Sequence, residues 1–232
     1  MNYTIIKHEE ELQKFINWLP DLKNGEKFYV SLFGRKKYVP NSNLKSDKAQ
    51  LKRFVTDKER LIDKLRKLEV KEGSYQVDGI SIPQEALAVY ISPNPRCMRK
   101  ASIRTAQEIL KNIEQNKYQN PQSIALNQIQ VSYSKKVYFD LDIDSDSHIN
   151  TQELGQFFHN KINPEAFGDN IVKTRGGYHV LIELDKISEQ YKKSWYNNLS
   201  KPHNYSFTVT MNGDNLIPIP GCVQGNFVPL MY

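Results

Sequence analysis

The chain has 232 residues, of which 39% are hydrophobic and 25% are charged, and its formal net charge is +6. These values are ordinary for a soluble globular domain, and no stretch approaches the roughly 20 apolar residues of a membrane helix. The N-terminal residues lack the basic and then apolar pattern of a signal peptide, so we expect a cytoplasmic protein with no membrane partner. Two cysteines without a C-x-x-C pair argue against a disulfide scaffold and against a structural zinc site.

The charge is distributed unevenly along the chain. Residues 1–120 contain 23 Lys and Arg against 15 Asp and Glu, whereas residues 121–232 contain 9 against 11. We therefore expect one domain over residues 1–232, built from a basic α/β lobe over 1–120 and an acidic catalytic lobe over 121–232. A basic half suits a polyanion and an acidic half suits a metal, as in an enzyme that acts on nucleic acid or nucleotides. The alternative is that lysine-rich amphipathic helices simply occur in the first half.

The first half alternates patterns typical of helices and strands. The sequence predicts a helix over 9–21, a strand over 27–33, a long helical pattern over 46–70, a hairpin turning at Asp78-Gly79, a buried strand over 86–91 and a helix over about 98–115. The polar segment 116–127 follows, and it is the expected boundary between the two lobes.

Two basic stretches in this half are candidate nucleic-acid contacts. Arg35, Lys36 and Lys37 follow a predicted strand and have aromatic residues on either side, a combination that suits contacts to phosphates and bases. A solvated hairpin tip explains this loop equally well. Arg96 lies between a predicted strand and a predicted helix, where the first N–H groups of the helix favour a phosphate.

The stretch Lys136–Asp144 is the most informative of the second half. It places Asp140, Asp142 and Asp144 at alternate positions with apolar residues between them, which is the period of a strand. Carboxylates two residues apart, roughly 6 to 7 Å along a strand, can converge on a hard divalent cation such as Mg²⁺, Mn²⁺ or Ca²⁺. The alternative is a solvated edge strand whose charges discourage aggregation.

A second informative stretch covers residues 170–184. Two strand-like runs flank Gly176-Gly177, so the sequence predicts a hairpin with a glycine turn. A two-residue turn at these glycines places Thr174 opposite His179, with both side chains on the same face.

His179 has a setting that favours a phosphate ligand. Lys173 and Arg175 lie near it in sequence, and a phosphate can approach the backbone closely at Gly177. A lone histidine in a strand is otherwise more often structural than catalytic.

A further strand is predicted over 205–211, with a turn at Asn212-Gly213 that leads into Asp214. The prolines at alternate positions after Leu216 exclude a central strand there. Asp214 is a candidate ligand, or only a turn residue.

Asp142–Glu153 also fits a twelve-residue calcium loop, with acidic residues at its first, third, fifth and twelfth positions. Two features oppose this interpretation. Ser147 occupies the sixth position, where glycine is expected, and a strand pattern precedes the loop where an EF-hand needs a helix.

The order of these motifs resembles the archaeo-eukaryotic primase superfamily, the primase-polymerases. The acidic pair that begins at Asp140 resembles motif one of that family, and Gly177-Tyr178-His179 is similar to its small-x-His motif. Asp214, ahead of Ile219-Pro220-Gly221, is similar to its third acidic motif and the segment after it. Tyr90–Arg96 is similar to an asparagine-proline-arginine stretch in some members. Gly177 is a departure, since the family commonly has serine there.

The resemblance covers about residues 85–225 and implies an α/β (α+β) fold whose catalytic lobe has a mainly antiparallel, RRM-like sheet flanked by helices. It implies template-directed nucleotidyl transfer in which Asp140, Asp142 and Asp214 hold two Mg²⁺ or Mn²⁺ ions. The implied nucleotide contacts are His179, Lys173, Arg175 and Gly177, and the implied nucleic-acid contacts are Arg35, Lys36, Lys37 and Arg96. The implied partners are a single-stranded template, nucleoside triphosphates and a separate helicase. A non-catalytic nucleic-acid-binding or regulatory protein with the same fold, and then a calcium-binding protein, are the alternatives.

Overall fold

The structure is a computed structural model that describes residues 1–45, 47–145 and 151–232. Its helices are α1 (Glu9–Trp18), α2 (Leu61–Arg66), α3 (Met98–Glu114), α4 (Pro121–Val131), α5 (Thr151–Phe158) and α6 (Trp195–Ser200). Its strands are β1 (Glu26–Gly34), β2 (Ala49–Thr56), β3 (Gln76–Val77), β4 (Ile80–Ser81), β5 (Leu87–Ile91), β6 (Arg96–Cys97), β7 (Tyr138–Asp144), β8 (Ile171–Lys173), β9 (Gly177–Glu183), β10 (Thr208–Gly213), β11 (Ile217–Pro218) and β12 (Leu230–Met231). None of the helices in these described residues is both long enough and apolar enough to span a bilayer.

The first sheet has the strand order β11-β5-β1-β2, and β6 also pairs with β1. Its central strand β1 is buried on both faces, so its apolar residues run almost continuously. Phe28, Val30 and Leu32 belong to a large core with α1 and α2, whereas Tyr29 packs with α3 and α4 on the other face. The strand period of two thus distributes one apolar run between two layers of helices.

The second sheet has the order β10-β7-β9-β8-β12. On one face of β7, Phe139, Leu141 and Ile143 pack in a core with residues of α5 and α6. On the other face Tyr138 joins the core of the first sheet. The sheet is antiparallel throughout, as are the pairings of the first sheet. The predicted mixed fold of helices and antiparallel sheets is confirmed.

The long helical pattern predicted over residues 46–70 is wrong in its first part. Residue 46 lies outside the described residues, and residues 49–56 form β2, which pairs with β1 along most of its length. Phe54 contacts the core of α1 and α2, and Val55 contacts the opposite core of α3 and α4. Alternation between two faces requires a strand, and pairing with a buried central strand outweighs the local helix propensity of the segment.

The two lobes are not consecutive halves of the chain. The predicted boundary between the lobes at 116–127 includes the first turns of α4, and α4 packs on α3 beside Tyr29 of the first sheet. Near the C-terminus, β11 pairs with β5, and Val223 belongs to the core of the first sheet. The chain therefore leaves the first lobe after α4 and returns to it after β10.

The β8–β9 hairpin turns one residue earlier than predicted. The Thr174 N–H donates a hydrogen bond of 2.8 Å to the Gly177 carbonyl oxygen, so Arg175 and Gly176 form the turn. Val172, and not Thr174, lies opposite His179. Gly177 therefore belongs to β9, where it pairs with Asp144 of β7 and where a Cβ atom would overlap the carbonyl oxygen of Ile143.

Candidate functional site

The three aspartates of β7 lie on one face of the strand, as predicted, but in three environments. Asp140 is 1% exposed, the side chain of Asp142 is 30% exposed and Asp144 is exposed. The strand enters the core at Tyr138 and emerges at Asp144. Only the second and third carboxylates are therefore accessible to a ligand.

His179 lies between the first two carboxylates, because β9 pairs with β7 and places His179 opposite Asp142. Its Nδ1 is 2.9 Å from Asp140 Oδ1, which is a hydrogen bond, whereas its Nε2 is 3.8 Å from Asp142 Oδ1, which is too long for one. Asp140 Oδ2 is buried and has no hydrogen-bond partner within the described ranges. The Asn212 amide on β10 donates to Asp142 Oδ2 at 3.3 Å.

The charges of this cluster change the protonation of its members. Burial lowers the pKa of His179, but the charge and the hydrogen bond of Asp140, with the charges of Asp142 and Asp144, outweigh it and raise the pKa to about 9. Burial, with Asp144 and Asp140, raises the pKa of Asp142, although His179 and Asn212 act in the opposite direction. At neutral pH the imidazolium therefore supplies the cation that the row of carboxylates needs.

We expect NMR titration of the metal-free protein to give His179 a pKa of about 9. The Asp140→Asn substitution removes the closest charge and should lower this pKa by about one to three units. The matched control is Asp185→Asn, which removes an exposed carboxylate that pairs with Lys135 elsewhere on the surface. A pKa of His179 that does not change in the Asp140 variant would contradict the ion pair, and the His179→Gln variant assigns the signal.

Asp142, Asp144 and His179 form one wall of a cleft of about 390 Å³ between the two lobes. Its remaining lining is Arg35, Lys37, Tyr38, Lys48, Tyr90, Thr174, Arg175, Gly176, Asn215, Leu216, Pro218 and Gln224. The cleft therefore has carboxylates on one side and four lysine or arginine side chains around the rest. The alternation of side chains along β7 places Asp142 and Asp144 on the same face. The segment after β1 contributes Arg35 and Lys37, and the β8–β9 turn contributes Arg175.

Aromatic and polar contacts position the basic side chains. The Arg175 guanidinium lies 4.6 Å from the centre of the Tyr38 ring, and Lys37 Nζ lies 5.6 Å from the same ring. The Arg175 N–H donates to the Gln224 side chain at 2.9 Å, which ties the turn to the C-terminal segment. Arg35 is buried and donates to the Tyr90 hydroxyl at 2.7 Å. Lys37 and Arg175 are exposed, so they can reach a ligand.

Asp214 and Arg96, predicted as a metal ligand and a nucleic-acid contact, form an ion pair with each other. Both terminal nitrogens of Arg96 contact the Asp214 carboxylate, and Asn94 donates to it at 2.9 Å. Arg96 is 1% exposed. Neither residue is among those that line the cleft. The pair instead links the first residue of β6 to the residue that follows β10.

The other predicted residues, Lys173, Lys36 and Gly177, are not among those that line the cleft. Lys173 lies opposite Tyr178 in the hairpin and lines a different, apolar pocket of about 340 Å³. Lys36 is half-buried in a short 3-10 helix and is not among the cleft-lining residues. Gly177 leaves space for the β7 backbone, and a serine there would have to displace it, because a Cβ atom would overlap the Ile143 carbonyl oxygen.

The accessible carboxylates fit a cation whose coordination a ligand completes. Among the described residues, no group of three His, Cys, Asp or Glu side chains converges as a complete metal site. Mg²⁺ is commonly held by one or two carboxylates together with substrate phosphates and water, and Asp142 and Asp144 can supply those carboxylates. The unpartnered oxygen of Asp140 behind them adds to the negative charge of this wall.

The calcium-loop hypothesis includes residues 146–150, which lie outside the described residues. At its two ends, Asp142 is on a strand and lines the cleft, and Glu153 accepts a hydrogen bond of 2.9 Å from Ser206.

Comparison with protein-family models, curated proteins and solved structures finds no match to this chain. The resemblance to the primase-polymerases rests on the motifs and their order alone.

The strand period includes Asp144 among the alternate carboxylates, but the resemblance to the primase-polymerases does not include it among the metal ligands. The sequence does not indicate several other residues of the cleft. Tyr38, Tyr90 and Gln224 come from distant parts of the first lobe, and nothing in their local sequence indicates that they meet. Of the basic side chains named from the local sequence, Arg35, Lys37 and Arg175 line the cleft.

Proposed function

We propose that this protein is a primase-polymerase-like nucleotidyltransferase that binds a nucleoside triphosphate with Mg²⁺ or Mn²⁺ in the cleft. The observation that carries the proposal is that one cavity is lined both by two accessible carboxylates, Asp142 and Asp144, and by exposed Lys37 and Arg175. A triphosphate needs both, because its oxygens bind a hard cation and its remaining charge needs basic side chains. The transfer would use a single-stranded template.

Each wall has a distinct role in this proposal. Asp142 and Asp144 hold the divalent cation, which when bound stabilises the charge that develops during phosphoryl transfer. Lys37 and Arg175 neutralise the outer phosphates. The protonated His179 keeps its Nδ1–H on Asp140, so its Nε2–H is available to donate to a phosphate oxygen. Arg35 is paired with Asp47 at 3.2 Å and donates to the Tyr90 hydroxyl, so its role is to position Tyr90 in the lining of the cleft.

The test is nucleotide incorporation on primed and unprimed single-stranded templates with Mg²⁺ and with Mn²⁺. We expect template-dependent product, and we expect Lys37→Ala and Arg175→Ala to raise the KM for nucleotide about tenfold each, since each removes a charge-assisted contact. The matched control is Lys36→Ala, which removes a neighbouring charge that does not line the cleft. Equal effects of all three substitutions would oppose this arrangement of the cleft.

One observation favours a second candidate, a protein that binds nucleotide or nucleic acid without catalysis. The carboxylate that resembles the third acidic motif, Asp214, is held by Arg96 and Asn94. The side chain that does reach Asp142 from β10 is the neutral amide of Asn212. Metal-dependent nucleotide binding without any incorporation would favour this candidate.

A further inference from the structure

Most of the large hydrophobic side chains that are exposed among the described residues lie on α3, on α4 or in the segments that adjoin these helices. Of the ten large hydrophobic residues that are exposed within the described residues, six lie between positions 103 and 133: Ile103, Leu110, Ile113, Tyr118, Val131 and Tyr133. Single exposed hydrophobic residues are normal on a protein surface. A cluster on one helical hairpin is typical of a surface that another protein covers.

The exposed apolar residues of α3 have the spacing of a helix-pairing seam. Ile103, Ala106, Leu110 and Ile113 are separated by three, four and three residues, which is the a and d pattern of a coiled coil. Ile103, Leu110 and Ile113 are 52%, 61% and 51% exposed, and Ala106 is exposed as well. The opposite side of α3 is already packed, because Ala101 is buried with Tyr29 and α4. One side of α3 therefore packs against α4 and the first sheet, whereas the apolar residues of the other side are exposed among the residues that the structure describes.

We infer that α3 pairs in antiparallel orientation with α3 of a second copy of this chain, around a two-fold axis near its centre. In that pairing Ile103 contacts Ile113 of the partner subunit, and Ala106 contacts Leu110 of the partner subunit. The bulky Leu110 side chain then packs against a small one, so the layers fill space evenly. A parallel pairing would instead stack Ala106 on Ala106 of the partner subunit and leave a gap.

Charges beside the seam select the same arrangement. Lys100, Gln107 and Glu114 recur every seven residues along one edge of the seam, and all three are exposed. In an antiparallel pair, residues at this one heptad position of the two helices face each other. Lys100 therefore faces Glu114 of the partner subunit, and Gln107 faces Gln107 of the partner subunit. The seam is therefore complementary to itself in both shape and charge, which points to a second copy rather than to a different protein.

The inference does not depend on the proposed function. The residues that line the cleft do not include any of α3, so loss of the pairing leaves the carboxylates and the basic side chains in place. Failure of the nucleotide assays and failure of the pairing are thus separate results.

The first test is the mass of the protein in solution by light scattering, at concentrations from about 1 to 100 μM. We expect about twice the chain mass of 27.0 kDa. Leu110→Glu places a charge in the seam and should give a monomer with an unchanged circular dichroism spectrum. The matched control is Tyr232→Glu, because Tyr232 is also 61% exposed but lies at the C-terminus, and this variant should stay dimeric. A monomeric wild-type protein over the whole range would overturn the inference and leave the seam for a different protein.

The second test is a charge exchange that examines the orientation. Glu114→Lys or Lys100→Glu alone places like charges opposite each other and should raise the dimer dissociation constant at least about tenfold. The double variant Lys100→Glu/Glu114→Lys restores opposite charges and should return the constant to within about threefold of the wild-type value. Lys100 also donates to the Tyr133 carbonyl oxygen, so both single variants are needed. A double variant that is no tighter than the single ones would exclude the antiparallel seam.

Discussion

Replacing Asp142 with asparagine is expected to reduce template-directed nucleotide incorporation by about 100-fold or more. Of the three aspartates on β7, Asp142 is the one that both lines the cleft and lies beside His179. Asparagine has nearly the same size, so the substitution removes a charge with little change in packing. Both the occupancy of a divalent cation and the stabilisation of developing charge fall when an anionic ligand is lost. Steady-state incorporation rates at saturating nucleotide measure the effect.

Two further variants make this result specific to the cleft. Glu153→Gln removes the carboxylate that accepts a hydrogen bond from Ser206, and it should leave incorporation nearly unchanged. Asp214→Asn distinguishes the motif resemblance from the observed contacts. The resemblance implies a lost metal ligand and an inactive enzyme, whereas the ion pair with Arg96 implies a less stable protein that keeps most of its activity. Loss of incorporation in the Glu153 variant with retention in the Asp142 variant would refute the cleft as the active site.

Replacing Gly177 with alanine is expected to destabilise the protein by about 3 kcal/mol, because overpacking in a well-ordered region costs this much. A Cβ atom at position 177 would overlap the Ile143 carbonyl oxygen and also approach the Asp144 backbone. These atoms belong to β7, the strand of the aspartates, so neither can move without disturbing the site. Urea unfolding followed by circular dichroism measures the change in the free energy of unfolding. In thermal unfolding we expect the melting temperature to be lower by roughly 6 to 12 °C.

The adjacent glycine supplies the matched control. A Cβ atom at Gly176 would meet the Asp144 side chain at 3.5 Å, an ordinary contact distance. Gly176→Ala should therefore cost less than about 1 kcal/mol. Comparable losses of stability in the two variants would show that the close approach of β7 and β9 does not limit position 177.

Much of the fold follows from local patterns in the sequence. The alternation over Lys136–Asp144 predicts β7 and its two faces, and the turn at Asp78-Gly79 predicts the β3–β4 hairpin, where both residues have positive φ. The helix over 98–115 and the exclusion of a central strand after Leu216 also agree with α3 and with the edge strand β11. These elements are set by periodicity and by turn chemistry, which act over a few residues.

The remainder depends on contacts between distant residues. Residues 49–56 become a strand because β1 pairs with them, and Gly177 belongs to β9 rather than to the turn because it pairs with Asp144 of β7. The ion pair of Arg96 and Asp214 joins residues 118 positions apart. Identical spacing also cannot show which aspartates remain accessible, since that depends on how deeply the first lobe covers each end of β7.

The most direct test of the proposed site is a crystal structure of the protein with Mn²⁺ and a non-hydrolysable nucleoside triphosphate, using the anomalous signal of manganese. We expect a manganese peak within about 2.5 Å of carboxylate oxygens of Asp142 and Asp144, with the phosphates extending toward Lys37 and Arg175. A manganese peak at Glu153, or a nucleotide bound outside the cleft, would contradict the account.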